Sequence, residues 1–191
     1  ELFNKGELFY SRRIAGSPSF SPNLNNHEEV IESPSKVKLL NAMKVSGRTE
    51  KGLGIGLFNA ITEKAKATIK NTETGEIRQE EIDPATHFNV LVLDQRFNDN
   101  SSVSLVNTNV MRNGSYRDAN VTGLYWDITN KKNTYNYYGN LEGSWVIDGK
   151  TKFGTEALGG FAKVSGKHRL QSSVYLRTKD YNINDLGYTG R

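Results

Sequence analysis

The chain has 191 residues, 36% of them hydrophobic and 24% charged, with 25 Lys and Arg set against 21 Asp and Glu. Its mean hydropathy of −0.61 is low for a soluble core, yet nine Tyr, eight Phe and two Trp argue against disorder. Absence of cysteine excludes a disulfide framework and thiolate metal or redox sites, and no window approaches the roughly 18 apolar residues of a membrane-crossing helix. Basic residues are interspersed with acidic ones, and the tight pairs Arg12-Arg13 and Lys131-Lys132 sit beside expected turns or strand ends, so no nucleic-acid footprint is read. An ordered but polar chain fits a membrane β-barrel, in which only every second strand residue faces lipid.

In chain order, the opening run reads as a partial strand from Glu7, followed by a long connection, Ala15 to Ser35, with three Pro. From Val37 the pattern has period two: Val37, Leu39, Asn41, Met43 and Val45 alternate with Lys36, Lys38, Lys44, Ser46 and Arg48. Glu50-Lys51-Gly52 makes a tight connection, after which Leu53, Ile55, Leu57 and Ile61 share one face and Gly54, Gly56, Ala60 and Thr62 the other. Lys70 to Ala85 reads as a second long connection. Hairpins are then expected from 86–98 with 102–112 across Asp99-Asn100-Ser101, from 120–129 with 134–147 across Asn130 to Asn133, and from 152–164 with 168–179 across Ser165-Gly166-Lys167. A further partial strand is expected near Arg191.

If consecutive strands are antiparallel, these four short turns fall at one end of the sheet. The longer connections, including Asn113 to Asp118, fall at the other, with Asp148-Gly149-Lys150 a short exception. Short turns on one rim and long loops on the opposite rim are the arrangement of outer-membrane barrels. Most strands exceed nine residues, against about 5 or 6 in soluble domains and about 9 to 11 for a tilted membrane strand. Phe88, Phe97, Tyr125, Trp126, Tyr135, Tyr137 and Tyr138 are candidates either for interfacial aromatic girdles or for ordinary cross-strand pairs.

Four separated stretches carry a family resemblance. Glu1 to Ile14, with Phe9-Tyr10-Ser11-Arg12-Arg13-Ile14, resembles the Phe-Phe-Ser-Arg-Arg-Ile signature of a Bacteroidota outer-membrane β-barrel family described as domain of unknown function 5916. Lys38 to Lys51 is similar to its segment ahead of a Gly-Lys/Arg-Thr turn, Gly54 to Glu63 to its next strand, and Asn184-Asp185-Leu186-Gly187-Tyr188 to its Asn-Asp-Leu-Gly-Phe element. The resemblance implies a barrel in the outer membrane, usually C-terminal to a domain like the family 9 carbohydrate-binding modules, and further strands after the last element. It brings no activity to any residue. The 191 residues are accordingly expected to be one barrel segment of a longer chain.

Four patterns bear on chemistry. His27, His87 and His168 are far apart, and His27-Glu28-Glu29 lacks the second His of a zinc-protease helix, so no metal and no cofactor is expected. Gly52-Leu53-Gly54-Ile55-Gly56 lacks the ending and the helix of a phosphate loop; it reads as a small-residue strand face that lets a loop or plug approach closely. Glu142 and Glu156 flank the Asp148-Gly149 turn at similar distances. Such a pair can hydrolyse glycosides, but in a barrel wall it more often balances lumenal cations, here Arg169 and Arg177. Asn100, Asn113 and Asn120 begin glycosylation-type triplets near expected loops, where turn chemistry accounts for them.

The resulting expectation is an all-β, antiparallel transmembrane barrel segment of about 8 to 10 strands, incomplete as a barrel. Its expected function is non-enzymatic, with no catalytic, cofactor or metal residue assigned and the substrate-binding residues unknown. Outer-membrane lipid, glycans or other nutrients, and other outer-membrane proteins are the expected partners, in the outer membrane. A soluble ligand-binding barrel or sandwich and a surface glycoside hydrolase are the alternatives.

Overall fold

The structure is a computed structural model that describes residues 2–98 and 100–187. Asp99 in its expected turn, Tyr188 in its motif and the strand expected near Arg191 lie outside the described residues.

The described residues form eleven strands: β1 (Glu28–Glu32), β2 (Leu39–Arg48), β3 (Leu53–Thr62), β4 (Ala65–Asn71), β5 (Ile77–Asp83), β6 (Thr86–Phe97), β7 (Ser101–Arg112), β8 (Asp118–Thr129), β9 (Tyr135–Asp148), β10 (Lys150–Lys163) and β11 (Leu170–Arg177). Eight of them make one antiparallel sheet in the order β11-β10-β9-β8-β7-β6-β3-β2, and these are the eight strands read from the period-two pattern. The protein is thus all-β and antiparallel. In the described residues the sheet does not close: its edges are β2 and β11.

Turn chemistry sets the hairpins. Gly52 adopts φ +84° between β2 and β3, where its N–H donates to Thr49 O at 3.0 Å; a Cβ there would stand 2.7 Å from Arg96 O. Asn130 Oδ1 accepts the Thr134 and Tyr135 N–H groups between β8 and β9 at 2.7 and 3.0 Å. All four short turns lie at one end of the sheet.

Two expectations are corrected. The long connections contain a second sheet of order β1-β4-β5 at the opposite end. Its strands are short and dense in charge, and only Ala65, Ala67, Ile69 and Ile82 are buried, which left a weak apolar signal. The expected strand from Glu7 is absent. Leu2–Asn4 and Ser11–Arg13 form single 3-10 turns, and the run between them lies on the large sheet. Phe3 and Leu8 are buried against Ala60, Phe88, Val90, Val92, Val106, Val110 and Val121, so this apolar run is wanted as filling and not as a pleated ribbon.

Residues opposite each other in the ladders share a face. One face carries Gly54, Gly56, Val92, Val106, Glu142 and Glu156 and is covered by chain segments 2–14 and 178–187; it is called inner here. The outer face carries Ile55, Leu57, Leu105, Leu124, Leu141, Val174 and Leu176, between 37% and 66% exposed. Among its strand residues, formal charge occurs at Asp118, the first residue of β8, and Lys163, the last of β10.

Two consequences are measurable. The chain at Asp180 and Tyr181 crosses directly over Gly154, whose added Cβ would collide with their backbone. Gly154→Ala should therefore lift segment 178–187, at about 1–3 kcal/mol, seen as faster limited proteolysis within it. In the small sheet, Arg78 donates to both Glu28 carboxylate oxygens at 2.9 and 2.8 Å and to Glu80 at 2.8 Å, and Asn25 N–H adds a bond to Glu28 at 2.7 Å. The Arg78 bonds and then that N–H hold the Glu28 carboxyl down at about 2, against an ordinary value of 4.5. A depressed value means stabilisation that is complete above 4.5 and lost as pH falls toward 2. Amide protection in β1 should fall across that window in the native chain and show no such dependence in Glu28→Gln.

Candidate functional site

The inner face is where the sequence places its ionisable and hydrogen-bonding groups, and it has two halves. Toward the long connections its floor is small or branched, and the two covering segments fill it. Toward the short turns Gly56 and Gly54 let the N-terminal segment continue over the sheet: a Cβ at Gly56 would stand 2.9 Å from the Phe3 ring, and one at Gly54 2.7 Å from Leu2. The alternating glycines thus serve the close approach expected of them. Lys44 Nζ lies 4.6 Å from the centroid of the Phe3 ring. The two segments are joined by Tyr10 N–H donating to Leu186 O at 2.7 Å, so the Phe9–Ile14 and Asn184–Gly187 stretches meet. Asp185 fixes the second segment to the wall, accepting from Arg112 at 2.9 Å and Arg117 at 2.6 Å.

Toward the short turns the inner face is polar. Asp94 is fully buried and accepts from Ser104 Oγ at 2.7 Å, pairs with Arg48 and lies 3.4 Å from Lys5 Nζ. Lys5 ties the N-terminal segment to the wall through this carboxylate. Beyond it, a recess of about 530 Å³ is lined by Lys5, Arg96, Ser102, Asp127, Thr129 and Asn136. An adjoining space of about 220 Å³ reaches Tyr125, Tyr138 and Asn140. Hydroxyls, amides, one carboxylate and two cations in a concave wall can hydrogen-bond a hydrated solute from several sides.

Glu142 and Glu156 stand directly opposite each other on β9 and β10, the juxtaposition read from their spacing. Both are saturated. Glu142 accepts from Tyr125 Oη at 2.8 Å, Asn140 Nδ2 at 2.8 Å and Tyr181 Oη, which gathers β8, β9 and the C-terminal segment on one carboxylate. Glu156 accepts from Tyr175 Oη at 2.8 Å and pairs with Arg177 at 2.5 Å. Arg177 is thus the balancing cation expected; Arg169 is exposed in the turn before β11.

The remaining candidates are dispersed. His27 Nδ1 lies 3.2 Å from Glu73 on the surface, His87 is on the outer face of β6, and His168 is in the β10–β11 turn. Asn100 and Asn113 are in turns, but Asn120 is a strand residue of the outer face. Of the aromatic candidates, Phe88, Tyr125 and Tyr138 point inward, because each shares a face with Val90, Glu142 or Gly160; Phe97, Trp126, Tyr135 and Tyr137 are on the outer face. The Asp94 and Asp185 clusters escaped sequence reading because their charged partners come from 46 to 89 positions away, and no local spacing announces them.

Fold and site together define an all-β protein whose antiparallel wall binds its own flanking segments on a polar inner face. Over residues 1–191 the chain matches the family described as Domain of unknown function (DUF5916), and it belongs to that family. No curated protein and no solved structure matches it.

The saturation of Glu142 yields a prediction. Glu142→Gln turns an acceptor-only group into one that must also place two donors, against Tyr125, Asn140 and Tyr181. It should cost about 1–3 kcal/mol in a denaturant or heat-modifiability assay and loosen segment 178–187. A Glu142→Gln chain as stable as the native one would show that this carboxylate organises nothing.

Proposed function

We propose that this chain forms part of the wall of a β-barrel in the bacterial outer membrane, and that it acts without catalysis in the capture or passage of material at the cell surface. The observation that carries the reading is the sense of the two faces. In a soluble barrel or sandwich the apolar set is packed inside and the charged set is outside. Here the charged strand residues of the large sheet turn inward, apart from charges at strand ends, and most of its leucines turn outward, while the buried valines of the inner face form the floor under the covering segments. That inversion is the alternation of a membrane wall with a wet interior.

The short turns then belong to the periplasmic rim and the small β1-β4-β5 sheet to the outward rim. The covering segments fill the interior from its outward half down to Asp94, where Lys5 borders the polar recess, so passage requires their displacement, and the recess itself lies toward the periplasmic side. Its hydroxyl and amide lining suits hydroxyl-rich solutes, which makes glycans our proposed cargo. The tyrosine, amide and arginine partners of Glu142 and Glu156 speak for a structural role over glycoside hydrolysis.

Two variants test the reading on the full-length protein. Leu57 faces outward and is 46% exposed, whereas its neighbour Gly56 lies under Phe3. Leu57→Arg should impair assembly into the outer membrane, at a cost that is about 2–4 kcal/mol at the bilayer centre and smaller toward its edge. Gly56→Arg should leave the protein in the membrane fraction, heat-modifiable on a gel, with its N-terminal segment displaced. On a soluble protein the order reverses, since an exposed Leu57→Arg would be harmless; recovery of the native protein in the soluble fraction would contradict the proposal outright.

A further inference from the structure

The outer face contains one feature that a uniformly apolar wall would not need: a tract of amides. Moving from the short turns outward along each strand, the first polar residue met on this face is Asn41 on β2, Asn59 on β3 and Thr122 on β8; on β6 and β7, above Gln95 and Ser101 beside the turn, it is Asn89 and Asn107. The tract is internally bonded. Asn59 Nδ2 donates to Asn89 Oδ1 at 2.8 Å, and Asn107 Nδ2 to Asn120 Oδ1 at 3.1 Å and Thr122 Oγ1 at 2.8 Å. Asn109 Oδ1 is left without a partner.

This border does not follow the pairing rows. Asn41 pairs with Ile61, so the border steps two residues from β2 to β3; Asn59 pairs with Asn89; Asn89 pairs with Asn109, so it steps two more to Asn107; Asn107 pairs with Thr122. Four residues are about 14 Å along a strand, and four strand spacings are about 19 Å across, so the border runs about 35° from the rows. Strands of outer-membrane barrels tilt by about 35–45° from the membrane normal, so a level bilayer edge crosses their rows at that angle. On β9 and β10 the outer face carries two aromatic groups: Trp145 with Phe153, centroids 4.9 Å apart, and Tyr135 and Tyr137 with Phe161 at 5.8 and 5.2 Å. Ten residues separate Trp145 from Tyr135 in chain order, about 34 Å along the strand and about 26 Å along a normal tilted by 40°, so the two aromatic groups mark two levels of the wall, as belts do. Trp145 and Phe153 lie just past the border, where aromatic belts sit.

We infer that the headgroup boundary of the outer leaflet crosses the sheet along Asn41, Asn59, Asn89, Asn107 and Thr122. Hydrocarbon then covers only the part between this line and the short turns, and the strand ends beyond it stand in the headgroup layer or in water together with the small sheet. This rests on the membrane reading above.

The test is a spin-label scan of the full-length protein in outer-membrane vesicles, with any cysteine outside this region replaced by Ser. Single cysteines at Leu57, Leu105 and Leu124 are compared with ones at Asn59, Asn89 and Asn109, each variant first shown to be heat-modifiable. Collisions with oxygen report hydrocarbon, and collisions with a water-soluble nickel chelate report the aqueous side. The Leu sites should be oxygen-dominated and the Asn sites nickel-dominated, with at least a several-fold change in the ratio between Leu105→Cys and Asn109→Cys. Should Asn109→Cys not assemble, Leu57→Cys against Asn59→Cys and Asn89→Cys carries the comparison. Nickel dominance at every site would overturn the membrane reading itself. Oxygen dominance at both groups would overturn the boundary and leave that reading standing. Shielding of the Asn sites from both reagents would show a protein packed on the tract, and would also overturn it.

Discussion

Period two is the constraint on which the structure depends. A strand that alternates apolar and polar residues commits its sheet to two unlike faces, and a register slip of one residue would exchange them on that strand. Here the registers of the large sheet agree, so the row Ile55, Leu93, Leu105, Leu124, Leu141, Ala157 and Leu176 runs unbroken from β3 to β11. The opposite face collects Asp94, Glu142, Glu156, Arg48 and Arg177. Buried charge and carboxyl groups are tolerable only when paired or hydrogen-bonded, which the tyrosines, asparagines and arginines of neighbouring strands accomplish. A contiguous apolar face of this extent calls for a nonaqueous neighbour.

The inner face solves its own packing problem with material from the same chain. Residues 2–14 and 178–187, more than 160 positions apart in sequence, meet through the Tyr10–Leu186 hydrogen bond and share the valine-rich floor. They are anchored at different points: Lys5 on Asp94, Tyr181 on Glu142, Asp185 on Arg112 and Arg117. Polar anchors over an apolar floor let a segment be held without being part of the sheet. On the proposed reading this is also what a removable obstruction requires, since the anchors are few.

Much of this was legible in the sequence, and the reason is local. Leu53, Ile55 and Leu57 against Gly54, Gly56 and Ala60 announce both a strand and its faces, and Gly52 its turn, because side-chain alternation and positive φ are properties of consecutive residues. The spacing of Glu142 and Glu156 around Gly149 likewise placed them together on adjacent strands. What failed depended on distant parts. Phe88, Tyr125 and Tyr138 were not separable from Phe97 and Trp126 as girdle candidates until registers fixed their faces. Leu8-Phe9-Tyr10 has the composition of a strand, and only the presence of a glycine- and valine-lined surface to receive it explains why it is not one. The charged strands β1 and β5 are held by the Glu28–Arg78–Glu80 cluster, whose members come from both, and so carry little apolar pattern.

The central claim is that the outer face meets lipid, and the two tryptophans of the chain, Trp126 and Trp145, both lie on it. The most direct measurement is the fluorescence lost in Trp126→Phe, taken as the difference from the full-length native protein in vesicles of ordinary and of acyl-brominated phospholipid. The account predicts that bromine in the acyl chains strongly quenches this contribution and that aqueous iodide leaves it nearly unchanged. Quenching by iodide with no response to brominated lipid would contradict it.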